Sequence, residues 1–188
     1  MIGGVVLAAG EGARFGGPKQ LAELDGRPLL EHAIEAITAV PAIERIVVVL
    51  GAHADEIRAK VDFLDTEQVV CDEWREGQAA SLRAGLAELG DVEAAVVTLG
   101  DQPRITPQVI AMALDHWEGE RPVRTVYGGR PGHPVVLPGW IIPRVVEIEG
   151  DVGARVLLEQ AGAREVEAGH LCSAVDVDTP DDLEVLRK

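Results

Sequence analysis

Val5-Val6-Leu7-Ala8-Ala9-Gly10-Glu11-Gly12-Ala13-Arg14-Phe15-Gly16-Gly17-Pro18-Lys19 decides both the fold class and the chemistry to look for. A short apolar run stops at a loop holding Gly10, Gly12, Gly16 and Gly17, with Arg14 and Lys19 as its only cations. Such a run reads as a buried strand that opens at the carboxyl edge of a sheet. Glycines let backbone approach a ligand closely and aim N–H groups at it. Two cations in the same loop suit a polyphosphate. Neither better-known glycine motif fits. Phe15 stands where G-x-G-x-x-G needs its third glycine, and Lys19 lies between Pro18 and Gln20 instead of inside G-K-[ST]. The plainer alternative is a glycine-rich turn with two solvated charges. Its position directly after a buried strand weighs against that.

Outward from this loop, apolar runs alternate with helical periodicity. Strands are expected over 2–7, 45–50, 68–71, 95–99, 123–127 and 134–137. Helices are expected over 29–39, 55–61, 79–89 and 107–117. The alternation predicts an α/β fold with a mostly parallel open sheet and helices on both faces. No linker or repeat divides the chain, so its 188 residues are expected to form one domain, 1–188. In such sheets ligands bind at the carboxyl ends of strands. The candidate chemistry falls there: Gly10 to Lys19 follows the first strand, Gly100-Asp101-Gln102-Pro103 follows 95–99, and Gly128 to Pro134 follows 123–127.

The formal charge is −15 and aromatic residues are 3%. Both oppose nucleic-acid partners, and the charge opposes anionic membranes. Cys71 and Cys172 lie far apart, with no metal-ligand spacing, and read as free thiols in a reducing compartment. The N-terminal apolar run is too short for a signal peptide or membrane span, so the chain reads as cytoplasmic.

Several residues have two readings on spacing alone. Asp101 ends the 95–99 run and can hold a hard cation, or it can serve the turn before the helix that opens at Pro107. Asp176 and Asp178 alternate on an extended segment and share a side, as metal ligands or as solvated carboxylates. Thr179 and Asp182 have capping-box spacing, with Pro180 at the first helical position, so a helix is expected over 179–188. Gly77 and Ser81 read as an ordinary helix entry. Gly150 to Arg155 reads as a glycine turn before a helix at 154–160. His53, Trp74 and Trp117 read as cap, core or surface residues.

The pattern Leu7-Ala8-Ala9-Gly10-x-Gly12-x-Arg14-x-Gly16-x-x-Lys19 resembles the signature loop of the MobA-like nucleotidyltransferases, nearest the molybdenum-cofactor cytidylyltransferase branch. Five motif blocks in the expected order extend the resemblance over nearly the whole chain. It implies a single-domain Rossmann-like nucleotidyltransferase fold with Mg²⁺ as cofactor. It implies catalytic roles for Arg14, Lys19 and Asp101, and metal binding by Asp101 and Asp178. Leu7, Ala8, Ala9, Gly10, Gly12, Lys19, Gly77, Ser81 and Asp101 would meet the nucleotide. Gly132, His133, Asp151 and Arg155 would meet the acceptor. Ala9, where guanylyl-transferring relatives usually carry Gly, favours CTP over GTP. The implied acceptor is of molybdopterin type, with a molybdoenzyme as an implied partner. Another phosphorylated metabolite, such as a sugar phosphate or phospholactate, is the alternative acceptor. A non-catalytic cofactor or nucleotide carrier is the alternative class. A dinucleotide-dependent oxidoreductase ranks third, disfavoured by Phe15.

Overall fold

The structure, a computed structural model, describes residues 1–187. Nine strands form: β1 (Ile2–Ala8), β2 (Glu23–Leu24), β3 (Arg27–Pro28), β4 (Ile43–Leu50), β5 (Glu67–Val70), β6 (Ala94–Leu99), β7 (Val123–Tyr127), β8 (Arg130–Pro138) and β9 (Arg164–Glu167). The α-helices are α1 (Leu29–Thr38), α2 (Ala54–Lys60), α3 (Gln78–Leu89), α4 (Pro107–Asp115), α5 (Arg155–Gln160) and α6 (Pro180–Leu186). β2 and β3 pair as a small separate hairpin, and the other seven strands make one sheet in the order β5-β4-β1-β6-β8-β7-β9. This is the expected α/β Rossmann-like architecture, mostly parallel.

β1 runs at the centre of the parallel half, with Val5 level with Val47 of β4 and Val97 of β6. Because side chains alternate across a strand, each run feeds two cores. Val6, Val48, Leu50 and Val96 pack with Ile34 of α1, Ile57 of α2 and Ile110 of α4. Val5, Leu7, Val47, Val49 and Val97 pack with Leu82 and Leu86 of α3 and Leu157 of α5. Fully burying one such side chain contributes roughly 1.5–3 kcal/mol, so β1, apolar on both faces, anchors the loop that leaves its carboxyl end.

Three departures from the sequence expectation follow from identifiable physics. The run at 134–137 belongs to a longer strand, β8, which is antiparallel to both β6 and β7. Gly128 and Gly129, at φ 58° and 75°, make the two-residue hairpin turn that requires positive φ at both positions. Most of the expected glycine loop after β7 is therefore strand, entered through a tight turn. β9 was missed because only Val166 of Arg-Glu-Val-Glu faces inward. A 3₁₀ run, Gly139–Glu147, was also missed; it contains Pro143, which interrupts any α-helical signal.

The expected 179–188 helix spans Pro180–Leu186 among the described residues; Lys188 lies outside them. Its capping box is present. The Thr179 N–H donates to Asp182 Oδ2 at 2.7 Å, and the Asp182 N–H donates to Thr179 Oγ1 at 3.3 Å. α6 packs through Leu183 onto Leu24, Leu29 and Val177, with Phe15 beside them. The residue that breaks the dinucleotide fingerprint thus anchors the β1 loop to the C-terminal helix. Among the described residues no helix is long and apolar enough to cross a membrane.

Candidate active site

Lys19 is the centre of the site. It follows the β1 loop in a short 3₁₀ turn, Lys19–Leu21. The next residue, Gln20, is buried and donates from Nε2 to the carbonyls of Ala8 (2.8 Å) and Gly10 (2.9 Å). This pair of hydrogen bonds folds the loop back onto the strand it left and fixes the backbone beside Lys19. Its Nζ lies 2.6 Å from Asp101 Oδ2 and 2.8 Å from Asp178 Oδ1. Burial alone would lower the ammonium's pKa, but the paired carboxylates, Asp101 foremost, raise it above the ordinary lysine value. Arg14 reaches the other oxygen of Asp178 at 2.9 Å while remaining largely exposed.

Two backbone segments bring these carboxylates together. Asp101 and Gln102 turn off the end of β6. Residues 176–178 run alongside, tied by the Val177 N–H to the Asp101 carbonyl at 3.0 Å. The result is two adjacent rungs. Asp101 and Asp178 share the Lys19 ammonium, while Gln102 Nε2 donates to Asp176 Oδ1 at 2.6 Å. Burial, with Asp101 nearby, pushes the Asp176 carboxyl above its usual range. Asp176 and Asp178, expected on one side, meet different partners: Gln102 for the first, Lys19 and Arg14 for the second.

The oxygens around Lys19 are of the kind that a divalent cation takes. Asp101 Oδ1 is buried with no hydrogen-bond partner. Asp101 Oδ2 and Asp178 Oδ1 converge on one positive charge. Hard cations such as Mg²⁺ take one or two carboxylates and complete their shell with water and substrate phosphates. Among the described residues no group of three or more His, Cys, Asp or Glu forms a protein-only cage. Two carboxylates, one of them with an oxygen that has no hydrogen-bond partner, fit the phosphate-completed kind of site.

Beside Lys19 lies a cleft of about 210 Å³, lined by Leu7, Ala8, Ala9, Gly10, Gly77, Ser81, Asp101 and Asp151. Gln20, Trp74 and Gln78 line it as well, and the sequence reading had not singled them out as ligand contacts. Trp74 leans on the β4 end, where a Cβ on Gly51 would fall 2.8 Å from the Trp74 Cβ. Asp151, expected on the acceptor side, stands in this cleft instead. Its Oδ1 accepts the Gln78 N–H at 3.3 Å, and a Cβ on Gly77 would fall 2.7 Å from that oxygen. The missed signal was the Gly77-Gln78 backbone, which only close packing of the 150 loop onto α3 makes relevant.

The loop itself departs from expectation. The N–H groups of Phe15, Gly16 and Gly17 do not face the cleft; they converge on the Gly12 carbonyl at 2.9, 2.9 and 3.3 Å. Gly12 does not line the cleft. Its φ is +70°, and a Cβ there would fall 2.1 Å from the Gly17 carbonyl oxygen. It is the residue about which the loop turns.

A larger chamber of about 660 Å³ adjoins the cleft, sharing Gln78 and Leu99 as lining. Gly132, His133 and Arg155 line it, with Gln102, Arg124, Arg130 and Asp176. Burial pushes the His133 imidazole down to about 4, so it is neutral at pH 7. The Tyr127 hydroxyl donates to the His133 carbonyl at 2.6 Å, setting the chamber wall.

Residues 4–166 match the family model described as "MobA-like NTP transferase domain". A nicotine blue oxidoreductase of Paenarthrobacter nicotinovorans is 34% identical over 85% of this chain and 82% of that protein. A probable molybdenum cofactor guanylyltransferase of Pyrococcus horikoshii is 31% identical over 64% of this chain and 59% of that protein. Among solved structures, Rv0371c of Mycobacterium tuberculosis H37Rv has a TM-score of 0.88 at 30% identity, covering 99% of this chain and 97% of that one. The same protein has been solved in complex with manganese, and that structure matches at a TM-score of 0.84 and 28% identity, covering 98% of this chain and 97% of that one.

Proposed function

The chain belongs to the MobA-like NTP transferase family, and from that premise we propose that it transfers a nucleoside monophosphate, CMP from CTP, to the phosphate of a molybdopterin-type acceptor with Mg²⁺ and release of pyrophosphate. The observation that carries the reading is the Lys19 ammonium held between Asp101 and Asp178 beside the cleft that the end of β1 lines.

An acceptor phosphate is ionised at neutral pH, so no general base is required. One of its oxygens attacks the α-phosphorus in line; the bond from α-phosphorus to the bridging oxygen breaks, and its electron pair leaves with pyrophosphate. The protein's work is positioning and charge neutralisation. Asp101 and Asp178 would hold the metal, which supplies positive charge to the phosphates when bound. Lys19 and Arg14 neutralise the β- and γ-phosphates and the departing pyrophosphate. Ser81, buried at the first turn of α3, presents a short hydroxyl to the cleft. Ala9 lines the cleft, and the preference for CTP rests on its standing where guanylyl-transferring relatives usually carry Gly. The free thiols Cys71 and Cys172 suit a cytoplasmic setting.

The test is pyrophosphate release with CTP, GTP, ATP and UTP, each with Mg²⁺ and molybdenum-loaded molybdopterin. Release with CTP supports the full reading. Release with GTP alone keeps the reaction and replaces the base. Silence with all four, from folded protein that binds nucleotide, moves the reading to another phosphorylated acceptor or to a carrier. A second reading rests on the 34% identity to an oxidoreductase. It requires consumption of NADH or NADPH with a redox dye and no pyrophosphate, and the same preparations measure both.

A further inference from the structure

The larger chamber gathers cations in a chain that is short of them. There are 17 Lys and Arg against 32 Asp and Glu, and most described cations are spent on carboxylates, as Arg45, Arg104 and Arg164 are. Arg130 and Arg155 both line the chamber, and neither has an ion pair or side-chain hydrogen bond among the described residues. Arg124, on β7 within the same wall, is mostly buried and pairs one nitrogen with Glu165. Its Nε and Nη1 are buried with no partner at all. A guanidinium carries five donors, and buried donors left without partners are rare in folded proteins. The chamber's one carboxylate, Asp176, is already engaged by Gln102. Arg130 and Arg155 therefore line a volume whose single carboxylate among the described residues, Asp176, is held by Gln102 and pairs with neither of them.

The phosphate that reacts in the proposed transfer belongs at Lys19, Asp101 and Asp178, on the other side of the shared Gln78 and Leu99 lining. It does not account for the arginines. A neutral tail in the chamber would strip water from them and return nothing, which selects against such ligands. We propose that the chamber takes a phosphomonoester bearing a second anionic group, and that Arg130 and Arg155, which line its wall with Arg124, bind that second group. The inference rests on the proposed transfer only in calling this ligand the acceptor; the preference for a second anion is independent of turnover.

The experiment is calorimetric binding of 3-phosphoglycerate and glycerol 3-phosphate to the full chain. These probes are nearly equal in size and differ by one carboxylate. The wild-type protein is expected to bind 3-phosphoglycerate about tenfold more tightly, the effect of one well-made ion pair. R130A/R155A is expected to abolish that difference while its affinity for CTP stays within about twofold. Both arginines are exposed, so the variant folds; R130K/R155K checks this and should keep part of the preference. Equal binding of the two probes, no binding of either at millimolar concentration, or a preference that survives R130A/R155A each overturns the proposal. A preference for the second anion with no pyrophosphate release from any nucleotide leaves this inference standing and removes the transfer reading.

Discussion

Lys19 stands 2.6 Å from Asp101 and 2.8 Å from Asp178, so its removal both strips a cation from the phosphate cleft and leaves two carboxylates facing each other. Lys19→Ala and Asp101→Ala should each lower turnover by about 10²–10³-fold, the usual loss when a transition-state donor is deleted. Their circular dichroism should stay native; wild-type turnover in either variant removes that residue from the mechanism. Ala9→Gly changes a residue that lines the cleft, and the ratio of kcat/KM for GTP over CTP should rise. An unchanged ratio would place base selection elsewhere. His133 carries a pH prediction with a definite sign. Folded, its imidazole gains a proton only near pH 4, against 6.5 for the free side chain. Between those values the unfolded chain binds more protons, so stability falls as the pH drops from 6.5 toward 4 and is untouched above 6.5. His133→Gln should flatten that limb of a melting-temperature profile. At this scale the sequence was informative wherever chemistry constrains residue type, as with Lys19 and Asp101. It was silent on Trp74, Gln78 and Arg124, whose places depend on packing between distant segments.

The element that turns on one residue is the β1 loop. Gly12 at φ +70° leaves no room for a Cβ beside the Gly17 carbonyl, so Gly12→Ala must open the turn that collects three N–H groups on one oxygen. We expect nucleotide affinity to fall and hydrogen exchange at Phe15, Gly16 and Gly17 to accelerate, with the sheet core still protected. Protection unchanged at those three amides would show that the turn does not depend on Gly12. The apolar runs of β1, β4 and β6 were readable because both of their faces are buried, leaving continuous Val and Leu. β9 was not readable, since an edge strand needs only one inward residue. β8 carried its orientation in plain sight: two glycines between two strand-like runs can only be a hairpin, but glycines beside a candidate phosphate loop invite a ligand reading.

For the whole molecule the governing quantity is the net charge of −15. A nucleotide approaching from afar meets repulsion, and only close to the cleft does it meet Lys19 and Arg14. Raising ionic strength from about 0.01 to 0.15 M shortens the screening length from roughly 30 to 8 Å. The nucleotide association rate, read by stopped flow, should therefore rise with salt over that range. A fall would mean that the local cations dominate the field at long range. The alternation of strands and helices sufficed to read the α/β class and its binding edge from sequence. The division of that edge into two compartments was not readable, because it depends on which strand reverses. That reversal also bears on how such a protein can change its trade. The parallel half, β1, β4 and β6, carries the nucleotide cleft, while the β7–β8 hairpin supplies Arg124, Arg130 and His133 to the neighbouring chamber. A two-stranded insert closed by a tight turn is a modular unit. If the proposed transfer holds, exchanging residues 123–138 for those of a relative is expected to change the acceptor while the residues at the end of β1 keep the nucleotide, so new substrates could be acquired without rebuilding that site.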